Sequence, residues 1–115
     1  MAKYMYIFRG GAFVTSGLSP TEMQEHLDKW YRWADKLTKA GGQPIGHALE
    51  NRGITLRGRE RSFTDGPYVE SKDLVTGSLV LEATSLEEAA ELAKDCPIFE
   101  FDGSVEVRPV LEQDD

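Results

Sequence analysis

The sequence predicts an α+β fold in which two helices cover one face of an antiparallel sheet. Two segments combine a capping-box pattern with the apolar spacing of amphipathic helices, and several shorter segments have the apolar composition of strands. These segments alternate along 115 residues, the length of one domain. We therefore expect a single domain at residues 1–111 and a frayed acidic tail at 112–115.

The first strand is predicted at residues 3–9, a short segment rich in aromatic and β-branched side chains. Its aromatic residues alternate with Met5 and Ile7, so both faces are apolar. A strand with one bare face would carry polar residues on that side. We therefore expect helices of this chain to cover one face and a second copy of the chain to cover the other.

The first helix is predicted to begin at SPTE, residues 19–22, which offers an N-cap serine, a proline at the first helical position and a glutamate that closes a capping box. Apolar residues then recur at spacings of four and three until Gly41 and Gly42, which indicate the helix end. A second capping box, SLEE at 85–88, opens another helix, and Pro97 ends it.

Four further strands are predicted, at residues 45–49, 53–57, 74–83 and 103–110. The first two are expected to join at the turn-forming residues 51–53, and a surface loop or hairpin is expected between 58 and 73. The resulting order is β, α, β, short hairpin, β, α, β, which is typical of a ferredoxin-like sandwich. Because its two helices cover only one sheet face, we expect a homodimer in which two sheets meet.

The composition excludes some functions. A formal net charge of −7 argues against direct binding of nucleic acid, whose protein partners carry clustered Lys and Arg. No apolar run approaches the roughly 20 residues that span a bilayer, and the N-terminus lacks a signal peptide, so we expect a cytoplasmic protein without membrane contact. The single cysteine, Cys96, indicates neither a disulfide nor a structural zinc site.

The segment TDGPYVESK, residues 64–72, resembles the signature of the YCII-related family, in the branch named for its DGPF motif. Residues 19–42 resemble the first helix of that family and GSVEVRPV, residues 103–110, its closing strand. The resemblance implies a ferredoxin-like dimeric α+β barrel. It also implies that a histidine on the first helix and an aspartate at the end of the second form the active-site pair, here His26 and Asp95.

The element order independently favours a contact between His26 and Asp95, because antiparallel helices would bring the start of the first beside the end of the second. Histidine exchanges protons near neutrality, and a carboxylate fixes its tautomer. We therefore expect an acid–base site that acts on a small organic molecule without a cofactor or a metal, in a reaction of the lyase or isomerase type. The other interpretation is a structural hydrogen bond, or no contact.

Other residues are candidates for substrate binding. The turn at Asp65-Gly66-Pro67 requires an unusual backbone angle at Gly66 and either serves only as a turn or forms the lip of a pocket. Alternating arginines would share one side of an extended segment and hold an anion, or simply face solvent. His47 and Cys96 are interpreted as structural. The candidate substrate-binding residues are Trp30, Arg57, Arg59, Asp65, Tyr68 and Ser71, with Arg61 beside them.

A second function remains open at this point. Members of the DGPF branch are often associated with alternative sigma factors, so the resemblance also implies a ligand-sensing or regulatory accessory module linked to sigma-factor-dependent transcription. A pocket beside the histidine would favour the enzyme, and a filled interior would favour the module.

Overall fold

The structure is a computed structural model and describes residues 1–11, 17–41, 44–66 and 73–112. A capping box opens the first helix as predicted, with reciprocal bonds between Ser19 and Glu22. At the second helix the Ser85 hydroxyl accepts from the Glu88 N–H as an N-cap, and the Glu88 carboxylate accepts from the Thr84 hydroxyl instead. The elements are β1 (Ala2–Arg9), α1 (Pro20–Gly41), β2 (Ile45–Ala48), β3 (Ile54–Arg57), β4 (Ser62–Asp65), β5 (Val75–Ala83), α2 (Leu86–Ala93), a 3₁₀ helix (Pro97–Phe101) and β6 (Ser104–Pro109).

Four strands form an antiparallel sheet in the order β2-β5-β1-β6. Tyr6 in β1 contacts both helices: its ring stacks on Trp33 of α1, with 5.7 Å between centroids, and its hydroxyl donates to the Ala89 carbonyl of α2 at 2.5 Å. Both helices therefore lie on the same face of the sheet. The α+β prediction is confirmed, and the architecture is compatible with a ferredoxin-like fold.

The pairing of β3 differs from the prediction. β2 is an edge strand of the main sheet, where Ile45 lies opposite Val80 of β5, and β3 does not pair with it. Instead β3 pairs with β4 in a separate two-stranded sheet, which we call the hairpin arm (residues 54–65). The region expected to be a loop or hairpin thus supplies the partner strand of β3.

The core lies between the sheet and the helices. Leu37 of α1 and Ala93 of α2 are buried against the β1 and β5 side chains, and the Trp33 indole donates to the Leu92 carbonyl at 2.9 Å. On the other sheet face the side chains alternate with those of the core and remain half-buried, as Met5 and Ile7 show. No helix in the described part of the chain is both long and apolar enough to cross a membrane.

Candidate ligand-binding cleft and the buried histidine beside it

An open cleft of about 910 Å³ lies between α1 and the β2–β5 edge of the sheet. It exists because three of the residues of β2 and β5 that face α1 at this edge, Gly46, Ala48 and Gly77, are small. Ala48 lies opposite Gly77, and Gly46 lies opposite Leu79. A Cβ on Gly77 would come within 2.8 Å of the His47 carbonyl oxygen, so the close approach of the two strands requires glycine there.

About two successive turns of α1 form the opposite wall of the cleft. Leu27, Trp30, Tyr31 and Ala34 line it at spacings of three, one and three, which places them on one side of the helix. The lining is mainly apolar, as in most sites for small organic molecules.

The 3₁₀ helix closes one end of the cleft through Ile98, which is buried. Ile98 fits between two glycines: a Cβ on Gly11 or on Gly103 would approach its Cγ1 within 2.4 Å or 2.3 Å. Gly11 also has φ +66°, a conformation that side chains disfavour. These two glycines let the 3₁₀ helix pack on the end of β1, and this position carries Glu100 and Phe101 to α1.

His26 lies behind the Trp30 wall and is only 3% exposed. The Trp30 indole donates to Nε2 of His26 at 2.9 Å, and Nδ1 lies 3.3 Å from a carboxylate oxygen of Glu100. Because an indole N–H can only donate, Nε2 must be the acceptor and carries no proton. The ring in this arrangement is therefore the neutral tautomer with its proton on Nδ1, which donates to Glu100.

Glu100 is held as a carboxylate by a second contact. The Lys29 ammonium donates to its other oxygen at 2.8 Å, and this hydrogen bond, assisted by the one from His26, lowers the pKa of the Glu100 carboxyl below its usual value. The imidazole also packs edge-on against Phe101, with 4.7 Å between ring centroids. A neutral histidine thus lies between aromatic rings, with a charged carboxylate at one nitrogen.

Asp95, the predicted partner of His26, forms its ion pair with Lys36 and is more than half exposed. Lys36 is ten residues beyond His26, or about 15 Å along the axis of α1. The end of α2 therefore lies beside the C-terminal half of α1, and the 3₁₀ helix runs back towards the start of α1. The carboxylate beside His26 is that of Glu100, which we did not predict. Pro97, a favoured first residue of a helical turn, indicates the start of the 3₁₀ helix but not its course.

The arginines do not share one side of an extended segment. Arg57 ends β3, but Arg59 and Arg61 belong to the turn of the hairpin arm, where Arg61 has φ +55° and its N–H donates to the Gly58 carbonyl at 3.1 Å. The alternation expected of a strand is therefore interrupted by the turn, and within the described residues none of the three lines the cleft.

The other predicted binding residues fall in different places. Trp30 lines the cleft, and Asp65 ends β4 in the hairpin arm. The unusual angle expected of Gly66 is confirmed, with φ +79°, and its N–H donates to the Gly53 carbonyl at 2.5 Å. Tyr68 and Ser71 lie outside the described residues.

Cys96 and His47 were interpreted as structural residues, and for Cys96 the structure gives a chemical reason. Cys96 is buried, and burial raises the pKa of its thiol to about 12, so it is not a thiolate nucleophile near neutrality. His47 borders the cleft through its position in β2, while the register of this strand places its side chain on the sheet face opposite α1. Among the described residues, no group of three His, Cys, Asp or Glu side chains is arranged to hold a metal ion.

The sheet order, the helices on one face and the cleft beside a buried histidine define a small α+β domain. The model of the YCII-related domain family matches residues 5–114, nearly the whole chain, and the protein belongs to this family. This match confirms the resemblance at the level of the YCII-related family. A search of curated proteins finds no significant match to the chain.

Proposed function

We propose that this protein binds a small, mainly apolar organic molecule in the cleft and uses His26 to transfer a proton. One observation carries the proposal: Trp30 lines the cleft, and the same indole ring occupies Nε2 of His26. Rotation of this one side chain would expose the basic nitrogen to a bound molecule. The cleft supplies the room for a ligand that the enzyme interpretation required.

The chemistry proceeds without a cofactor. Nε2 takes a proton from a carbon next to a carbonyl group, and the electron pair of the broken C–H bond forms an enolate. The imidazolium so formed is stabilised by the Glu100 carboxylate at Nδ1–H. Return of the proton to a different atom completes an isomerisation, whereas loss of a leaving group completes a lyase reaction.

In this scheme Glu100 takes the role that was predicted for Asp95. Its carboxylate is within reach of the ring and is kept charged by Lys29. A direct part for Asp95 in the chemistry stays a prediction.

We also propose that Tyr68 and Ser71, in the segment 67–72, contact the ligand as expected from the sequence. Asp73, the next described residue, lines a smaller pocket of about 460 Å³, and this pocket shares Leu49 and Glu50 with the cleft. The same segment carries the resemblance to the DGPF branch, and we propose that the chain belongs to that branch.

Beyond the single chain, we propose a cytoplasmic homodimer in which two sheets pack face to face as an α+β barrel. The support is the half-buried apolar side chains on the sheet face opposite the helices, Met5, Ile7 and Val80. Direct binding to nucleic acid is not part of this proposal, because the chain carries an excess of negative charge.

The second candidate function is a ligand-sensing or regulatory accessory module, linked to sigma-factor-dependent transcription. The specific observation in its favour is that the contacts within the chain already engage both ring nitrogens of His26. In this function a ligand would occupy the cleft and shift Trp30 without chemical change.

One pair of measurements tests the proposal and separates the two functions. Nile red, a neutral apolar dye, should gain fluorescence on binding to the cleft, and 2-indanone, a small cyclic ketone, should displace it. Ala34→Phe, which fills the cleft, should weaken dye binding at least tenfold, whereas Ala40→Phe at the exposed end of α1 should not. Equal dye binding by both variants would contradict a ligand site in this cleft.

The chemistry is then followed as deuterium exchange at the CH₂ groups of 2-indanone in D₂O by proton NMR. Exchange above the buffer rate that is lost in His26→Gln and retained in His47→Gln supports proton transfer by His26. Displacement of the dye without catalysed exchange would favour the sensing module.

A further inference from the structure

The hairpin arm has one apolar face that the described part of the chain leaves exposed. Leu56 lies opposite Phe63, and Ile54 shares their face, while Thr55 and Thr64 lie opposite each other on the reverse. The three apolar side chains are 61–64% exposed. They present on the order of 400 Å² of apolar surface, within the range that marks interaction sites on soluble proteins.

The polar face of the arm is already satisfied within the chain. Thr55 donates to the Gly66 carbonyl at 3.0 Å, and Ser62 donates to the Arg57 carbonyl at 3.1 Å. An isolated two-stranded hairpin is at best marginally stable in water, so an arm of this kind requires packing on its apolar side. Within the described part of the chain, the polar face of the arm is thus hydrogen-bonded and its apolar face is exposed.

We propose that the hairpin arm docks through Ile54, Leu56 and Phe63 on a second copy of this chain. Charge favours this partner. The tip, residues 57–61, carries three arginines and one glutamate, whereas the whole chain has 20 acidic and 13 basic residues. A copy therefore offers the arm an acidic surface, on which the exposed carboxylates of its helices include Glu22, Glu25, Asp28, Asp35 and Glu87.

Area favours the same partner. One arm on an unrelated protein would bury on the order of 600–800 Å² in total, which is less than a stable interface needs. A two-fold axis brings two arms into the contact and doubles the buried area to on the order of 1,200–1,600 Å², which reaches the usual range. The arm interface is additional to the sheet contact proposed above, and the two can be separated by mutation.

Sedimentation velocity from 1 to 100 µM tests the proposal with two matched double variants. Leu56→Ser with Phe63→Ser removes the apolar face of the arm, and Thr55→Ser with Thr64→Ser alters its polar face while keeping both hydroxyls. The first pair should raise the dimer dissociation constant at least tenfold, and the second should leave it within twofold. Arg59→Glu should weaken the dimer further, and added salt should weaken the wild-type dimer.

Because Leu56, Phe63 and Arg59 are exposed, retention of the fold is expected in their variants, and it is checked in every variant by the proton NMR signals of His26 and Trp30. Ile7→Glu, on the open sheet face, separates the arm from the sheet contact. A dimer that Ile7→Glu dissociates but the apolar-face variant does not would overturn the arm proposal and leave the sheet proposal intact. A wild-type chain that stays monomeric at 100 µM would overturn both.

Discussion

The indole N–H of Trp30 and Nε2 of His26 are joined by a hydrogen bond of 2.9 Å between the wall of a cleft and a buried imidazole. The two residues are four positions apart on α1, the spacing at which side chains on a helix meet. The bond fixes the neutral tautomer of His26, because the donor can only be the indole. Movement of Trp30 would therefore break the hydrogen bond at Nε2 and remove the constraint on the His26 tautomer.

The first prediction concerns this bond. Trp30→Phe keeps an aromatic ring in the wall and removes the donor, which leaves a buried Nε2 without that partner. We expect a loss of about 1–3 kcal/mol in the free energy of unfolding, measured by urea denaturation. Nitrogen-15 shifts of His26 should change from the single Nδ1–H tautomer to a mixture that includes Nε2–H.

Trp33→Phe is the matched control for that prediction, since it also removes an indole hydrogen bond, the one to the Leu92 carbonyl. It should reduce stability without changing the His26 tautomer. An unchanged tautomer in Trp30→Phe would show that the indole does not set it.

The second prediction concerns the charge of Glu100. Its pKa is lowered first by the hydrogen bond from Lys29, so Lys29→Met should raise the pKa of this carboxyl, measured by carbon-13 NMR titration. Lys36→Met, which removes a cation paired with Asp95, should leave the Glu100 titration unchanged. Because the folded-state pKa is depressed, the stabilising contact is present at neutral pH and is lost as the pH falls through that pKa, below about 4.5.

The third prediction is a loss of stability in alkali. Burial raises the pKa of Cys96 from 9.0 to about 12 and also raises that of Tyr6, so the folded chain keeps protons that the unfolded chain releases. Stability should therefore be fully present below pH 9 and fall between pH 9 and 12. In thermal melts at pH 8 and 10.5, Cys96→Ala should show a smaller drop than the wild type.

Tyr31→Phe serves as its control, because Tyr31 is 66% exposed and should not alter the alkaline slope. Equal drops in the wild type and in Cys96→Ala would mean that the thiol does not contribute to it.

The fold followed from local signals wherever those signals were strong. Both helix starts were predicted because a capping-box pattern is contained within four residues, and β1 was predicted because its short segment is rich in aromatic and β-branched side chains. The partner of β3 was not predicted, because residues 51–53 have the composition of a turn and indicate a hairpin between β2 and β3. The true partner of β2 is β5, about 30 residues further on. Pairing over such a distance leaves no local pattern.

The surroundings of His26 could be derived from the sequence only in part. The position of His26 near aromatic side chains could be derived from the helical spacing, and Trp30 does contact it. The position of Glu100 could not be derived, because five residues of 3₁₀ helix give no periodicity. The course of this helix depends on Ile98 packing between two glycines. The path of the chain after α2 therefore decided which carboxylate lies beside the histidine.

The last prediction separates the two carboxylates. If Glu100 alone acts on the imidazole, Asp95→Asn should leave the nitrogen-15 shifts of His26 unchanged and should cost at most about 1 kcal/mol, because its ion pair with Lys36 is solvent-exposed. Glu100→Gln should change the nitrogen-15 shifts of His26 and slow exchange of 2-indanone at least tenfold, since the imidazolium would lose its carboxylate. His47 serves as the internal reference in both variants. A change in the His26 shifts caused by Asp95→Asn and absent from His47 would restore the His26–Asp95 pair that the sequence predicts and would contradict the assignment of the acid–base partner to Glu100.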